Sequence, residues 1–105
     1  MMAACGFMTP AEHYALRWCS LEAVRLYVLC IRPFMHADSL EVPVSAVKAE
    51  SRSLVAARQQ KPRISRLIGE LERHLLVESR WTAGGRLASV VCVAARDVAC
   101  GKGVL

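Results

Sequence analysis

The residues best suited to chemistry in this chain are its cations. Arg52, Arg58, Lys61, Arg63, Arg66, Arg73, Arg80 and Arg86 are opposed within the same stretch only by Glu70, Glu72 and Glu78. That 35-residue block carries +5, the formal excess of the whole 105-residue chain, which has 14 Lys and Arg against 9 Asp and Glu. Seven of its eight cations are Arg, whose planar guanidinium can donate two parallel hydrogen bonds to phosphate oxygens or to the edge of guanine. Charge segregated in this way fits an anionic partner.

Other chemistries are poorly provided for. Cys5, Cys19, Cys30, Cys92 and Cys100 are odd in number and contain no Cys-x-x-Cys pair, the pattern of reduced thiols in a cytoplasmic protein. His13, His36 and His74 lie far apart, and none stands at a ligand spacing from Cys or Asp, so neither metal nor cofactor is expected. No Ser, Cys or His sits in a motif that would activate a nucleophile. Gly101-Lys102-Gly103 lacks both the spacing and the following helix of a phosphate loop. The expectation is therefore a protein that is not an enzyme. Residues 1–10 lack the cationic start and long apolar core of a secretory signal. The longest apolar run, 87–95, reaches about half the length of a membrane helix, so no membrane role is expected.

The elements that must position the cations can be read from the pattern. A length of 105 residues with 54% hydrophobic content supports one domain with a modest core and argues against disorder. The domain is expected over residues 9–96, between tails at 1–8 and 97–105. Thr9-Pro10-Ala11-Glu12 opens a short helix, with Thr9 as its cap. Ser20 caps a second helix on a stripe of Leu21, Val24, Tyr27, Val28 and Ile31, with Arg32 off the stripe and Pro33 ending it. Residues 40–44 alternate as a short edge strand around Pro43. Ser45 caps a short helix over 46–54, residues 58–61 form a polar connector, and Pro62 enters the first turn of the next helix.

That helix carries the clearest pattern. Ile64, Leu67, Ile68 and Leu71 recur at i, i+3, i+4 and i+7, with Leu75 continuing the stripe. Arg63, Arg66, Glu70 and Arg73 occupy other faces. With an earlier start, the helix would also contain Arg58, Gln59, Gln60 and Lys61, and Gln can read adenine. A strand over 76–81, a turn at Thr82-Ala83-Gly84-Gly85 and a return over 86–95 follow. The return is apolar on both faces, as in a strand that is central or covered on both sides. Trp18 and Trp81 read as packing residues.

The fold class expected is α+β: three to four helices, a C-terminal β-hairpin and a short third strand, in the order of a winged helix-turn-helix domain. The stretch Ile64-Ser65-Arg66-Leu67-Ile68-Gly69-Glu70-Leu71-Glu72-Arg73-His74-Leu75-Leu76 resembles the recognition helix of bacterial winged-helix proteins. Those often read Leu-x-x-Leu-Glu-x-x-Gly-Leu-Ile before the hairpin wing. His74 is taken as the departure, standing where glycine usually ends the helix. Leu21-Glu22-Ala23-Val24-Arg25-Leu26-Tyr27 with Ile31-Arg32-Pro33-Phe34-Met35 resembles the opening of small phage- and plasmid-borne DNA-binding proteins. There an acidic residue and an aromatic would follow the Met, and His36-Ala37 departs from that.

The resemblance implies a double-stranded DNA-binding protein serving replication control or transcriptional regulation in a phage, plasmid or bacterial setting. The residues expected at DNA are Arg58, Gln59, Gln60, Lys61, Arg63, Ser65, Arg66, Arg73, Arg80 and Arg86. The alternative is a protein-interaction module on the same scaffold, such as a small phage protein that inhibits a host nucleoprotein complex. Self-association as a dimer through residues 9–32 is compatible with either.

Overall fold

Thr9 starts the first helix by a reciprocal exchange with Glu12. In α1 (Pro10–Leu16), Thr9 Oγ1 accepts from the Glu12 N–H at 3.0 Å, and Glu12 Oε1 accepts from the Thr9 N–H at 2.7 Å. Two of the N–H groups that a helix start leaves unpaired are thereby satisfied. The computed structural model describes residues 8–36, 38–53 and 57–96, with backbone alone for residue 53 and residues 57–62. Of the tails expected at 1–8 and 97–105, residues 1–7 and 97–105 lie outside the described residues, and Met8 is partly buried against the core.

Ser20 caps α2 (Leu21–Arg25) by accepting from the Ala23 N–H at 3.2 Å. The helix continues into a π-helical segment, Leu26–Ile31, and a 3-10 turn, Arg32–Phe34, that contains Pro33. The buried face is not the expected stripe. Ala23, Leu26, Tyr27, Cys30 and Ile31 are buried, whereas Leu21 is 64% exposed. This set keeps the i, i+3, i+4, i+7, i+8 rhythm, rotated so that small Ala23 and Cys30 face the core. Arg32, expected off the stripe, is buried as well.

The wide turn explains how that is possible. The Arg32 N–H donates to the Tyr27 carbonyl, five residues back. At ~3.6 residues per turn, residues five apart in an α-helix would point about 140° apart; the i→i+5 turn brings them onto one side. Tyr27 Oη and Arg32 Nε both donate to Glu12 Oε2, the latter at 2.7 Å. Burial pushes the Glu12 carboxyl towards protonation, but hydrogen bonds from Arg32, Tyr27 and Thr9 outweigh it and hold its pKa below the ordinary value.

Residues 41–43 form the expected edge strand, β1 (Glu41–Pro43), with Pro43 opposite Ser89. Helix α3 (Val44–Glu50) starts directly after it, two residues before the expected start, and a 3-10 turn, Ser51–Ser53, follows. Its cap is Pro43, at φ −64 and ψ 140, and no side chain supplies a capping bond. Ser45 is therefore inside the first turn rather than at the cap.

Helix α4 (Ala57–Arg73) begins five residues before Pro62. The expected polar connector 58–61 is helical backbone, as in the alternative that assigned Arg58, Gln59, Gln60 and Lys61 to this helix. Ala, Arg, Gln and Lys are strong helix formers, and their propensity outweighs the proline signal. Pro62 is then the sixth residue, beyond the first turn where proline is favoured, and offers no N–H to the Arg58 carbonyl. Ile64, Leu67, Ile68 and Leu71 are buried as the spacing predicts, each fully buried side chain contributing roughly 1.5–3 kcal/mol.

The end of α4 corrects two expectations. Leu76 N–H donates to the Leu71 carbonyl and Leu75 N–H to the Glu72 carbonyl, both at 3.0 Å. These are the paired bonds of a Schellman cap. The left-handed residue is Leu75, at φ 65, not His74. Leu75 consequently leaves the apolar stripe and is 76% exposed, while Leu76 turns inward and is buried.

The hairpin comprises β2 (Glu78–Trp81) and β3 (Leu87–Val91), both shorter than expected. The sheet is antiparallel in the order β1-β3-β2, so the doubly apolar strand is central. Ser89, Val90 and Val91 are all buried, with α3 packed against β3, whereas Ala88 earlier in the strand is exposed. After Val91 the chain leaves the sheet in a 3-10 turn, Val93–Ala95. There the Ala94 carbonyl accepts from Thr9 Oγ1 at 2.6 Å, tying the start of α1 to the end of the sheet. The architecture is α+β, helices against a three-stranded sheet.

Candidate nucleic-acid interface

The buried stripe of α4 fixes where its other residues point. Ile64, Leu67, Ile68 and Leu71 face the core, so at ~3.6 residues per turn the opposite face carries Arg66, Gly69 and Arg73, with Ser65 beside them. All four are exposed. A Cβ added to Gly69 would have no atom within 4 Å, so nothing in the fold requires glycine at the middle of this face.

Both flanks of α4 are tied to neighbouring elements. Towards α2, Arg63 pairs with Glu22, and both oxygens of Glu70 are taken by Ser20, through its N–H at 2.6 Å and its hydroxyl at 2.9 Å. The Ser20 N–H is the chief cause holding the Glu70 carboxyl below its ordinary pKa. Towards the hairpin, Ser79 Oγ donates to Glu72 at 2.8 Å. The acidic groups nearest the outward face are thus engaged at its sides. Arg66 and Arg73 form no salt bridge with any described residue.

The hairpin adds two more cations. Arg80 and Arg86 are exposed and also form no salt bridge with a described residue. At the tip, Gly85 N–H donates to the Thr82 carbonyl at 3.0 Å, Thr82 N–H donates to the Arg86 carbonyl at 2.7 Å, and Gly85 alone takes the left-handed region, at φ 84. The register slips between Arg80, opposite Ser89, and Trp81, opposite Leu87. Such a bulge re-aims the side chains beside it.

Trp81 lines a groove of about 540 Å³ between α3, α4 and the hairpin, together with Ser45, Lys48, Ser65 and Arg86. Trp81 and Trp18 are each 63% exposed, so neither is the packing residue that the sequence suggested. A groove with hydroxyls, two basic residues and an aromatic wall can accept an anionic strand.

Of the ten residues expected at DNA, Ser65, Arg66 and Arg73 share the outer face of α4, and Arg80 and Arg86 lie on the hairpin. Arg63 turns to α2 instead, because Glu22 lies beside it. The backbone of Arg58, Gln59, Gln60 and Lys61 is helical, and their side chains lie outside the described residues. Lys48, Ser45 and Trp81 are groove residues that sequence reasoning missed. Trp81 on a strand with polar neighbours was a usable signal, whereas nothing local marked Lys48. Elsewhere, Cys19, Glu70 and His74 bring three metal-ligating atoms within 4.8 Å of one another, despite their separation in sequence. No helix among the described residues is long and apolar enough to cross a membrane. In comparisons with known proteins, no family model, curated protein or solved structure matches this chain.

Proposed function

We propose that this chain is a non-enzymatic, double-stranded DNA-binding protein of the winged helix-turn-helix kind, serving replication control or transcriptional regulation in a bacterial, phage or plasmid setting. The observation that carries the reading is the outward face of α4. Arg66 and Arg73 stand about two turns apart and form no salt bridge with a described residue, while the Glu70 and Glu72 carboxylates are hydrogen-bonded by Ser20 and Ser79 at the sides of the helix. A helix in the major groove offers its exposed face to base edges, and Arg is the side chain that pairs with guanine there. Arg80 and Arg86 on the hairpin supply positions for phosphates.

The element order and the strand order β1-β3-β2 fit a winged helix. So does the cap of α4: counting the winged-helix pattern from Leu71-Glu72 puts its glycine at residue 75, the left-handed position here. Salt dependence tests the proposal. Fluorescence anisotropy with a random duplex at two salt concentrations is expected to show binding that falls steeply with salt, with a log–log slope of several units as phosphate contacts release counterions. A flat response, or no binding at physiological salt, overturns it.

A second reading is favoured by one observation. Tyr14, Trp18 and Leu75 are exposed around a largely apolar hollow of about 420 Å³, a feature suited to protein contact rather than to DNA. An interaction module, for example an inhibitor of a host nucleoprotein complex, would use this surface and show no DNA affinity by itself.

A further inference from the structure

We propose a transition-metal site at the junction of α4 with the turn between α1 and α2, formed by Cys19, Glu70 and His74. Their ligand atoms, one thiol sulfur, one carboxylate oxygen and one imidazole nitrogen, lie within 4.8 Å of one another. An ion centred among them is no farther than about 2.8 Å from each, that is 4.8 Å divided by √3. Zinc bonds to these three donors are about 2.0–2.3 Å, so the site closes with side-chain adjustments of roughly half an ångström.

The donor types select the ion. Sulfur and imidazole together favour Zn²⁺ or Co²⁺ over Mg²⁺ and Ca²⁺, which prefer oxygen. A thiolate and a carboxylate balance the charge of a divalent ion, and three protein donors leave a tetrahedral position for water. Glu70 and His74 are four residues apart and therefore share one side of the last turns of α4. The negative end of a 17-residue helix also favours a cation there.

The carboxylate is already oriented. Ser20 donates to both Glu70 oxygens, at 2.6 and 2.9 Å, the outer hydrogen bonding that fixes ligating carboxylates in metal sites. Cys19 Sγ lies 3.5 Å from the Ala15 carbonyl; on binding, the thiol proton is released to solvent and the thiolate turns to the ion. Arg73, next to His74 on the same hollow, is the nearby cation that opposes binding. The bound ion would clamp the turn after α1 to the end of α4, independently of any DNA contact.

The test is titration of the reduced protein with Co²⁺ alone. The expected result is a thiolate-to-cobalt charge-transfer band with tetrahedral d–d bands, saturating at one equivalent and lost in both Cys19→Ser and His74→Gln. Zn²⁺ should raise the Tm of the parent protein and leave that of His74→Gln unchanged. Circular dichroism without metal checks that each variant folds. Should Cys19→Ser not fold, His74→Gln and Glu70→Gln carry the same comparison. Absence of the thiolate band in the parent protein, or its survival in a folded variant, overturns the site.

Discussion

Arg32 Nε donates to Glu12 Oε2 at 2.7 Å, and the two side chains are 2% and 0% exposed. Glu12 Oε1 caps α1 and also accepts from Arg32 Nη2 at 3.3 Å, while Oε2 receives Tyr27 Oη and Arg32 Nε. One carboxylate thus joins the start of α1 to the π-helical turn after α2. Removing one partner of a buried ion pair costs about 3–5 kcal/mol. Glu12→Gln is therefore expected to destabilise the fold by about that amount in urea denaturation at neutral pH.

The same carboxylate sets an acid limit. Its folded-state pKa lies below its ordinary value, so its contribution is fully present above about pH 4.3, the pKa expected in the unfolded chain. The contribution is lost as pH falls through the lower folded-state value, because the unfolded state then binds the proton more readily. Urea midpoints measured from pH 7 downward should drop below about pH 4.3 in the parent protein. This component of the drop should be missing in Glu12→Gln.

Leu75 occupies a left-handed conformation with its side chain largely exposed. Glycine takes that conformation freely, whereas other L-residues pay roughly 1 kcal/mol. Leu75→Gly should stabilise the protein by about 0.5–1 kcal/mol, read as a higher urea midpoint with unchanged slope. His74→Gly should not, since His74 does not hold the left-handed position.

Gly69 is exposed within α4, and nothing would clash with a Cβ there. Gly69→Ala should raise stability by about 0.5–1 kcal/mol, the usual gain in a helix interior. If the outward face enters the major groove, the added methyl should at the same time weaken binding to a specific duplex. Thermal unfolding and anisotropy on the same samples separate the two effects.

The cations differ in the role proposed for them. Arg66→Ala should cost about 1–3 kcal/mol at a specific site and less on random DNA. Arg86→Ala, at the hairpin, should weaken both alike and lower the salt slope by about one unit. Arg63→Ala should change DNA binding least of the three, because Arg63 is already paired with Glu22.

Much of the backbone was legible in the sequence because its signals are local. Thr9 and Ser20 cap helices through their own hydroxyls, Pro43 restricts its strand to an edge, and the spacing of Ile64, Leu67, Ile68 and Leu71 defines one face of α4. The doubly apolar residues 87–91 announced a central strand. Boundaries failed where two local signals competed. Helix propensity at 57–61 outweighed Pro62, and the left-handed cap fell at Leu75 rather than His74.

What the sequence by itself determined was the set of helical and extended segments, their order, and the concentration of charge between Arg52 and Arg86. Only the tertiary structure decided which of those charges remain outward and which are neutralised. Glu22 takes Arg63, Ser20 and Ser79 draw Glu70 and Glu72 aside, and Glu12 makes a buried Arg32 tolerable. Likewise, Cys19 meets Glu70 and His74 only through packing of the turn after α1 against α4. Local patterns depend on neighbours within a few residues, whereas the solvation and pairing of a side chain depend on partners that folding brings from other elements, 7 to 55 residues away.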